Sequence, residues 1–294
     1  MLESFLSNID LLIVTTGALV GIAASLMGTF LVLRGNSMLT DAISHSVVFG
    51  IVVVWLLTGA VSGPVQIVGA ALTGLLTVWL TELVASSGRV KQDAAIGLVF
   101  PVMFAAGVLL MNIYARNVHI DQHTVLLGEI GFIWLDTLEL GGYHVPRSLL
   151  TMSLMTLINL LFVTLLFKEL KLATFDRGLA RALGFAPGVL SYLLLGLTSA
   201  TAVTAFDAVG AVMFVAFAIV PPSTARLLTD RLVPMMVAGS AVAILASGIG
   251  YWLATALNVS IGGMMATVAG VLLLLAFLFS PRTGLVWRMA RRLN

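Results

Sequence analysis

Leu31-Val32-Leu33-Arg34-Gly35-Asn36-Ser37-Met38-Leu39-Thr40-Asp41-Ala42-Ile43-Ser44-His45 is a short polar interruption between two long apolar runs. Residues 11–33 upstream approach the ~20 apolar residues that cross ~30 Å of hydrocarbon. Residues 42–58 resume the pattern downstream. Asp41 and His45 stand at i, i+4, so one helix face carries both. An ionisable side chain in lipid is costly and ordinarily faces a bundle interior or a pathway. A carboxylate beside an imidazole can hold a divalent transition metal. The same pair can form a proton relay, or simply stitch two helices together as a hydrogen-bonded pair.

The rest of the chain repeats this texture. Of its 294 residues 60% are hydrophobic and only 10% charged, with mean hydropathy +1.11. Soluble domains carry about 25% charged residues. The composition therefore predicts an all-α, polytopic membrane helical bundle, organised as a single transmembrane domain over residues 1–294. There is no cysteine, which excludes disulfides and thiolate metal sites. Met1 to Asp10 holds two acids and no basic residue, so the first run reads as a mature helix and not as a cleaved signal.

Nine spans are expected, at 11–33, 42–58, 65–85, 94–113, 149–167, 189–206, 208–225, 233–255 and 263–280; eight remain if the break near Asp207 is a bend. Orientation follows the basic residues. Alternate connections hold Arg34; Arg89 and Lys91; Lys168, Lys171, Arg177 and Arg181; Arg226 and Arg231; and Arg282, Arg288, Arg291 and Arg292. That is 13 of the 15 basic residues, leaving Arg116 and Arg147 on the other side. The positive-inside rule makes the larger set cytoplasmic. The C-terminus is then inside and, with nine spans, the N-terminus outside.

Two connections are long. Residues 114–148 lie outside. Within them Thr124 to Leu135 is apolar but too short to cross, and reads as a re-entrant or interfacial helix. Glu129 in this stretch is a carboxylate at membrane depth that needs a partner or a pathway. His119 and His123 share an i, i+4 spacing. The other connection, about 168–187, lies inside. There Asp176 is a plausible N-cap, Arg177 to Leu183 a short helix, and Gly184 its C′ stop before Pro187. Such a helix is either a docking element or an ordinary loop helix. Asp207 reads equally as the N-cap of the seventh span or as negative charge projecting into a cavity. Pro101 is expected to bend the fourth span, and Pro221-Pro222 to kink or end the seventh. Small residues in the first span (Gly21, Ala23, Ala24, Ser25, Gly28) and the eighth (Gly239, Ala241, Ala243, Ala246, Gly248) suit close helix packing.

Missing motifs narrow the chemistry. No Gly-rich loop ends in Gly-Lys-Ser/Thr, so ATP is not bound here as in P-loop proteins. There is no His-Glu-x-x-His and no Gly-x-Ser-x-Gly. No soluble part is large enough for a catalytic or nucleic-acid-binding domain.

Leu31 to Met38, with Asp41-Ala42-Ile43-Ser44-His45-Ser46, resembles the signature of the permease subunits of bacterial ATP-binding-cassette importers for divalent metal ions. Three collinear stretches add to it. They are Asp93-Ala94-Ala95-Ile96-Gly97; Phe175-Asp176 with Ala180-Arg181-Ala182-Leu183-Gly184; and Phe206-Asp207-Ala208-Val209-Gly210 leading to Val220-Pro221-Pro222-Ser223-Thr224-Ala225. The resemblance implies a multi-pass protein of the bacterial cytoplasmic (inner) membrane. It implies no enzymatic activity of its own, and no tightly bound cofactor beyond the transported Mn²⁺, Fe²⁺ or Zn²⁺. Its implied partners are a second permease subunit, identical or paralogous, a separate ATP-hydrolysing subunit, an extracytoplasmic metal-binding protein, and membrane lipid. Metal coordination is implied at Asp41 and His45, with Asp207 and Glu129 as further candidates. ATPase docking is implied at Asp176, Arg177, Arg181 and Gly184. The chain departs from the commonest pattern at Thr40, where Gly is usual, and at Ser46-Val47-Val48-Phe49-Gly50, which lacks the usual Pro. Leu126-Leu127-Gly128-Glu129-Ile130 looks more like the manganese and iron branch. The rival reading is a proton-coupled secondary transporter using Asp41 and His45 as a relay.

Overall fold

Each apolar run closes into a helix because lipid leaves backbone amides no other partner than their own chain. A computed structural model describes residues 8–59, 64–114, 130–140, 143–280 and 284–286. Its helices are α1 (Ile9–Leu33), α2 (Met38–Thr58), α3 (Pro64–Ser86), α4 (Gln92–Tyr114), α5 (Arg147–Leu165), α6 (Phe167–Phe175), α7 (Arg177–Ala182), α8 (Pro187–Leu228), α9 (Leu232–Leu257) and α10 (Ile261–Phe279). All but α6 and α7 are long and apolar enough to cross a membrane, which makes eight among the described residues.

The 42-residue α8 is folded back on itself. Gly210 takes φ 79, ψ 166, a region open essentially to glycine alone. Phe206 and Phe214 lie with ring centroids 5.9 Å apart, where eight residues along one straight helix would separate them by about 12 Å. Arg34 Nη1 donates to Ser191 Oγ at 2.9 Å, and Arg226 Nη1 to the Val32 carbonyl at 3.4 Å. Both ends of α8 therefore meet the inner end of α1. Residues 187–209 and 211–228 are two crossings, and the described residues make nine in all, as expected. The break falls at Gly210, so Asp207 lies inside the last turn of the first limb. It is not an N-cap, which corrects one of its two readings.

The folded α8 is the hub of the bundle. It packs against α1, α3, α9 and α10, and more lightly against α2 and α5. α1 is central too, with α8, α9 and α5 around it, while α2 packs on α3 and α4. Though consecutive in sequence, α1 and α2 scarcely touch. Ser199 Oγ donates to the Ala70 carbonyl at 2.8 Å and ties α8 to α3. Asn159 Nδ2 donates to Thr201 Oγ1 at 2.8 Å and ties α5 to α8. Most other hydroxyls fold back onto carbonyls of their own helices, as at Thr16, Thr29 and Ser247. Those donors are thereby satisfied within the helix, whereas the buried hydroxyls of Ser25 and Thr40 have no hydrogen-bond partner among the described residues.

Pro221 and Pro222 neither end nor interrupt the second limb, which runs on to Leu228. A proline at 222 cannot donate to the Ala218 carbonyl. That oxygen instead lies against the α-carbon of Gly28, where any side chain would collide with it. A Cα–H···O contact partly replaces the lost bond. The small-residue stripe thus has definite contacts: Gly21 meets Ala243 and Phe217, and Gly239 meets Ser25, whereas Gly248 has open space around it.

Outside the bundle, the part of the expected interfacial segment that falls within the described residues is one 3-10 turn, Ile130–Phe132. Its Ile130 is buried and touches Gly17 of α1. A hairpin follows, β1 (Thr137–Leu140) with β2 (Tyr143–Pro146), antiparallel, pairing Leu140 with Tyr143. Hydropathy alone did not anticipate it, because the strands are short and amphipathic. Gly141-Gly142 between them is the sequence signal that does.

Gly28→Ala is expected to lower stability by about 1–3 kcal/mol, as overpacking against backbone does. Gly270→Ala, with no neighbouring atom within 4 Å, should be neutral or slightly stabilising. Thermal unfolding of the two purified variants in detergent checks the contrast.

Candidate metal path and coupling segment

A left-handed glycine starts the site. Gly35, at φ 72, follows Arg34, the C-cap of α1. Its N–H donates to the Val32 carbonyl at 3.2 Å, and Asn36 N–H to the Leu31 carbonyl at 2.9 Å. This Schellman closure stops α1 sharply, and α2 begins at Met38. Asp41 then falls in the first turn of α2 and His45 one turn later. By the orientation of the basic residues this is the cytoplasmic end, about 10 Å along the helix for His45.

Most of α2 is buried. Over its first twelve residues, 38–49, the open positions are Met38, Asp41, His45 and Phe49, one stripe at helical spacing; beyond them Ile51, Val53 and Trp55 are half-buried and residues 56–58 exposed. The Asp41 and His45 side chains are 42% and 37% exposed, and His45 Nε2 lies 3.6 Å from Asp41 Oδ1. Phe100 of α4 stacks on the imidazole at 5.6 Å, and Phe104 meets it edge-on at 5.9 Å. These two rings pack against the imidazole, which stays partly exposed. The pair is therefore not tucked among unrelated backbone. At 3.6 Å it is also too long for a mutual hydrogen bond, so the lone pairs are not used on each other.

No third ligand from the described residues joins them. Among the described residues there is no group of three or more His, Cys, Asp or Glu arranged to hold a metal ion. Asp207 lies elsewhere, exposed at the outer bend of α8 and within electrostatic reach of Arg147 and Asp136. Glu129, His119 and His123 lie outside the described residues. His144 and Glu139 face each other across the hairpin at 3.8 Å, well exposed. Such a surface pair contributes little to stability.

At the inner face, α6 and α7 form the segment between α5 and α8. Asp176 is the N-cap of α7, its Oδ1 accepting from Leu179 N–H at 2.9 Å. At the other end Gly184, at φ 84, closes a second Schellman motif. There Gly184 N–H donates to Arg181 O and Phe185 N–H to Ala180 O, both at 3.0 Å. Ala180 is buried while Arg177, Leu179 and Arg181 are exposed. α7 therefore shows an outward face with both arginines on it.

Arg34 is the residue that sequence reasoning undervalued. It entered only as a basic marker and as part of a motif. In the fold it is half-buried, with Nε donating to Thr174 Oγ1 of α6 at 3.1 Å and Nη1 to Ser191 of α8. Burial, helped by the nearby Arg177 cation, pushes its pKa down to about 10. It remains charged at neutral pH. Nothing in the local pattern distinguishes a buried arginine at a helix end from a solvated one.

A family model described as ABC 3 transport family matches residues 9–280. The chain belongs to this family. It is therefore a multi-pass membrane protein of a bacterial cytoplasmic membrane and a permease-type subunit, not itself catalytic. It is 45% identical to the manganese transport system membrane protein MntD of Bacillus subtilis over 96% of each chain. It is 48% identical to the zinc transport system membrane protein TroD of Treponema pallidum, over 94% of this chain and 75% of that one. Its fold matches the solved structure of PsaBC from Streptococcus pneumoniae in complex with Fab, with TM-score 0.80 and 27% identity over the full length of both chains.

Asp176→Ala removes the cap of α7, a loss of about 1 kcal/mol, or roughly fivefold in local opening. Hydrogen exchange at the Leu179 amide is expected to quicken by that factor while exchange in α1 and α8 stays unchanged.

Proposed function

We propose that this chain is the membrane subunit of an ATP-driven importer of divalent transition-metal ions, and that Asp41 and His45 take the ion in transit. The observation that carries this is the 3.6 Å between Asp41 Oδ1 and His45 Nε2 on the open stripe of the first three turns of α2. Two donors each about 2.1 Å from a shared ion sit roughly 3.0–3.6 Å apart as the angle between them opens from square to tetrahedral and a little beyond. A direct proton relay works at about 2.6–3.2 Å, and the family is one of ATP-binding-cassette transporters. The proton-coupled alternative therefore has nothing to support it.

Two ligands from one chain leave the coordination sphere incomplete. Water, or the same stripe of a second permease subunit, identical or paralogous, completes it. Binding must favour entry yet permit exit, and an unfinished set of ligands serves that end. Asp207, at the outer bend, supplies negative charge to an entering cation, with Glu129 of the outer loop as a second such group. An extracytoplasmic metal-binding protein hands the ion over at this end. The whole chain acts as one permease unit. A separate ATP-hydrolysing subunit docks on residues 168–187, with Asp176 and Gly184 shaping α7 and Arg177 and Arg181 reaching outward. Mn²⁺ is the favoured ion, since carboxylate suits manganese and imidazole serves zinc and iron as well. The relatives named for manganese and zinc transport agree with this range.

Asp41→Ala and His45→Ala should each abolish ATP-dependent ⁵⁴Mn²⁺ uptake into proteoliposomes while the complex still assembles. Wild-type uptake in either variant would remove the proposed site. Uptake by the wild type should also fall on acidification, because ligation needs an unprotonated imidazole and an ionised carboxylate. Arg181→Glu is expected to leave less ATPase subunit bound, or to let it hydrolyse ATP without import. Intact coupling there would refute the docking face.

A further inference from the structure

Arg34 occupies a joint between three parts of the molecule that otherwise meet little. Behind it is α1, whose last residue precedes it. Ahead is the turn of residues 34–37 and then α2 with Asp41 and His45. To its side are the coupling segment, through Thr174 of α6, and the inner end of α8, through Ser191. Because α1 and α2 scarcely touch, α2 is held at this end chiefly by the turn and by α3, α4 and α8.

The two oxygens that Arg34 reaches are pre-set as acceptors. Thr174 Oγ1 spends its own hydrogen on the Leu170 carbonyl at 2.7 Å, and Ser191 Oγ spends its hydrogen on the Pro187 carbonyl at 2.8 Å. Each hydroxyl is thereby fixed to its helix with lone pairs turned to the guanidinium. A planar fork bonded through Nε and Nη1 to two separate helices holds a definite angle between them, which a flexible ammonium does not. The third nitrogen, Nη2, is buried without a hydrogen-bond partner. Among the described residues, the two hydroxyls are the hydrogen-bond partners that hold the guanidinium. Farther along the same turn, Asn36 Oδ1 faces Gln92 Nε2 at 3.5 Å. Gln92 begins α4, the helix whose Phe100 and Phe104 flank His45.

We propose that Arg34 is a positioning residue for energy coupling: a strut that carries displacement of the α6–α7 segment into the 34–37 turn, and so into α2 and its Asp41/His45 pair. This rests on the importer reading above. Movement of α7 under an ATPase subunit shifts Thr174, two residues before its cap. The shift passes through the Arg34 fork to a turn locked by the Schellman bonds of Gly35 and Asn36. The turn then tilts the first turns of α2, where the ligands sit.

The test uses the permease assembled with its ATPase subunit and metal-binding protein in proteoliposomes, and reads Mn²⁺ taken up per ATP hydrolysed. Arg34→Lys keeps the charge but loses the fork, and is expected to lower that ratio at least fivefold while ATP hydrolysis persists. Thr174→Val with Ser191→Ala should reproduce the loss without touching Arg34, and adding Arg34→Lys to them should make it no worse. Thr174→Ser, which keeps the oxygen, should retain wild-type coupling. A wild-type ratio in Arg34→Lys overturns the strut. So do losses that multiply when the substitutions are combined, or a lower yield of complex with an unchanged ratio in what assembles. Absence of any ATP-dependent uptake by the wild type would instead remove the importer reading, and the strut with it.

Discussion

Hydrocarbon offers no hydrogen-bond partner, so wherever this chain departs from a regular helix it must answer for the groups set free. The answers are local and specific. At Gly35 and Gly184 the orphan carbonyls of α1 and α7 are closed by Schellman bonds. At Pro222 the missing donor is partly offset by the close approach of Gly28 to the Ala218 carbonyl. At Gly210 the chain turns back near the outer side of the bundle, with Gly262 of α10 packed beside Met213 and the Val209 carbonyl. These repairs let α8 double back and become the hub on which the other spans pack.

That hub decides where the polar residues can act. The folded α8 lies between α1 and α2, and with α3 and α4 it buries all but one stripe of the first three turns of α2. Asp41 and His45 occupy that stripe together with Met38 and Phe49. The aromatic rings of α4 pin the imidazole, and the carboxylate one turn below stays free of a mutual bond. A half-open pair of this kind is poorly suited to stitching helices within one chain and well suited to a ligand shared with water or a neighbouring subunit. On the proposed function, the cost of ionisable groups at membrane depth is met by a pathway, in keeping with the transport family to which the chain belongs.

Much of this was legible before the fold was known, and the reasons differ by residue. The spans follow from length and apolarity, which a membrane reads locally. Orientation follows from 13 basic residues on alternate connections, and the contacts of Arg34 and Arg226 agree with it. The capped helix at Asp176 and Gly184 was legible because capping is a four-residue matter. Less legible was the reversal inside α8, which hydropathy placed within a few residues, at Asp207, whereas only glycine could take the dihedral angles required at 210. The β1–β2 hairpin went unread because eight residues of modest amphipathicity carry little weight beside twenty-residue apolar runs.

By itself, then, the amino-acid order determined which segments enter the bilayer, which way they run, where short helices stop, and that Asp41 and His45 share a face. All of these depend on neighbours within a turn or two. Tertiary structure alone decided that Arg34 is buried between Thr174 and Ser191, that Asp207 stands apart from the Asp41/His45 pair, and that Gly28 must be bare. These depend on which helices meet, and partners 140 and 157 residues away leave no trace in local periodicity.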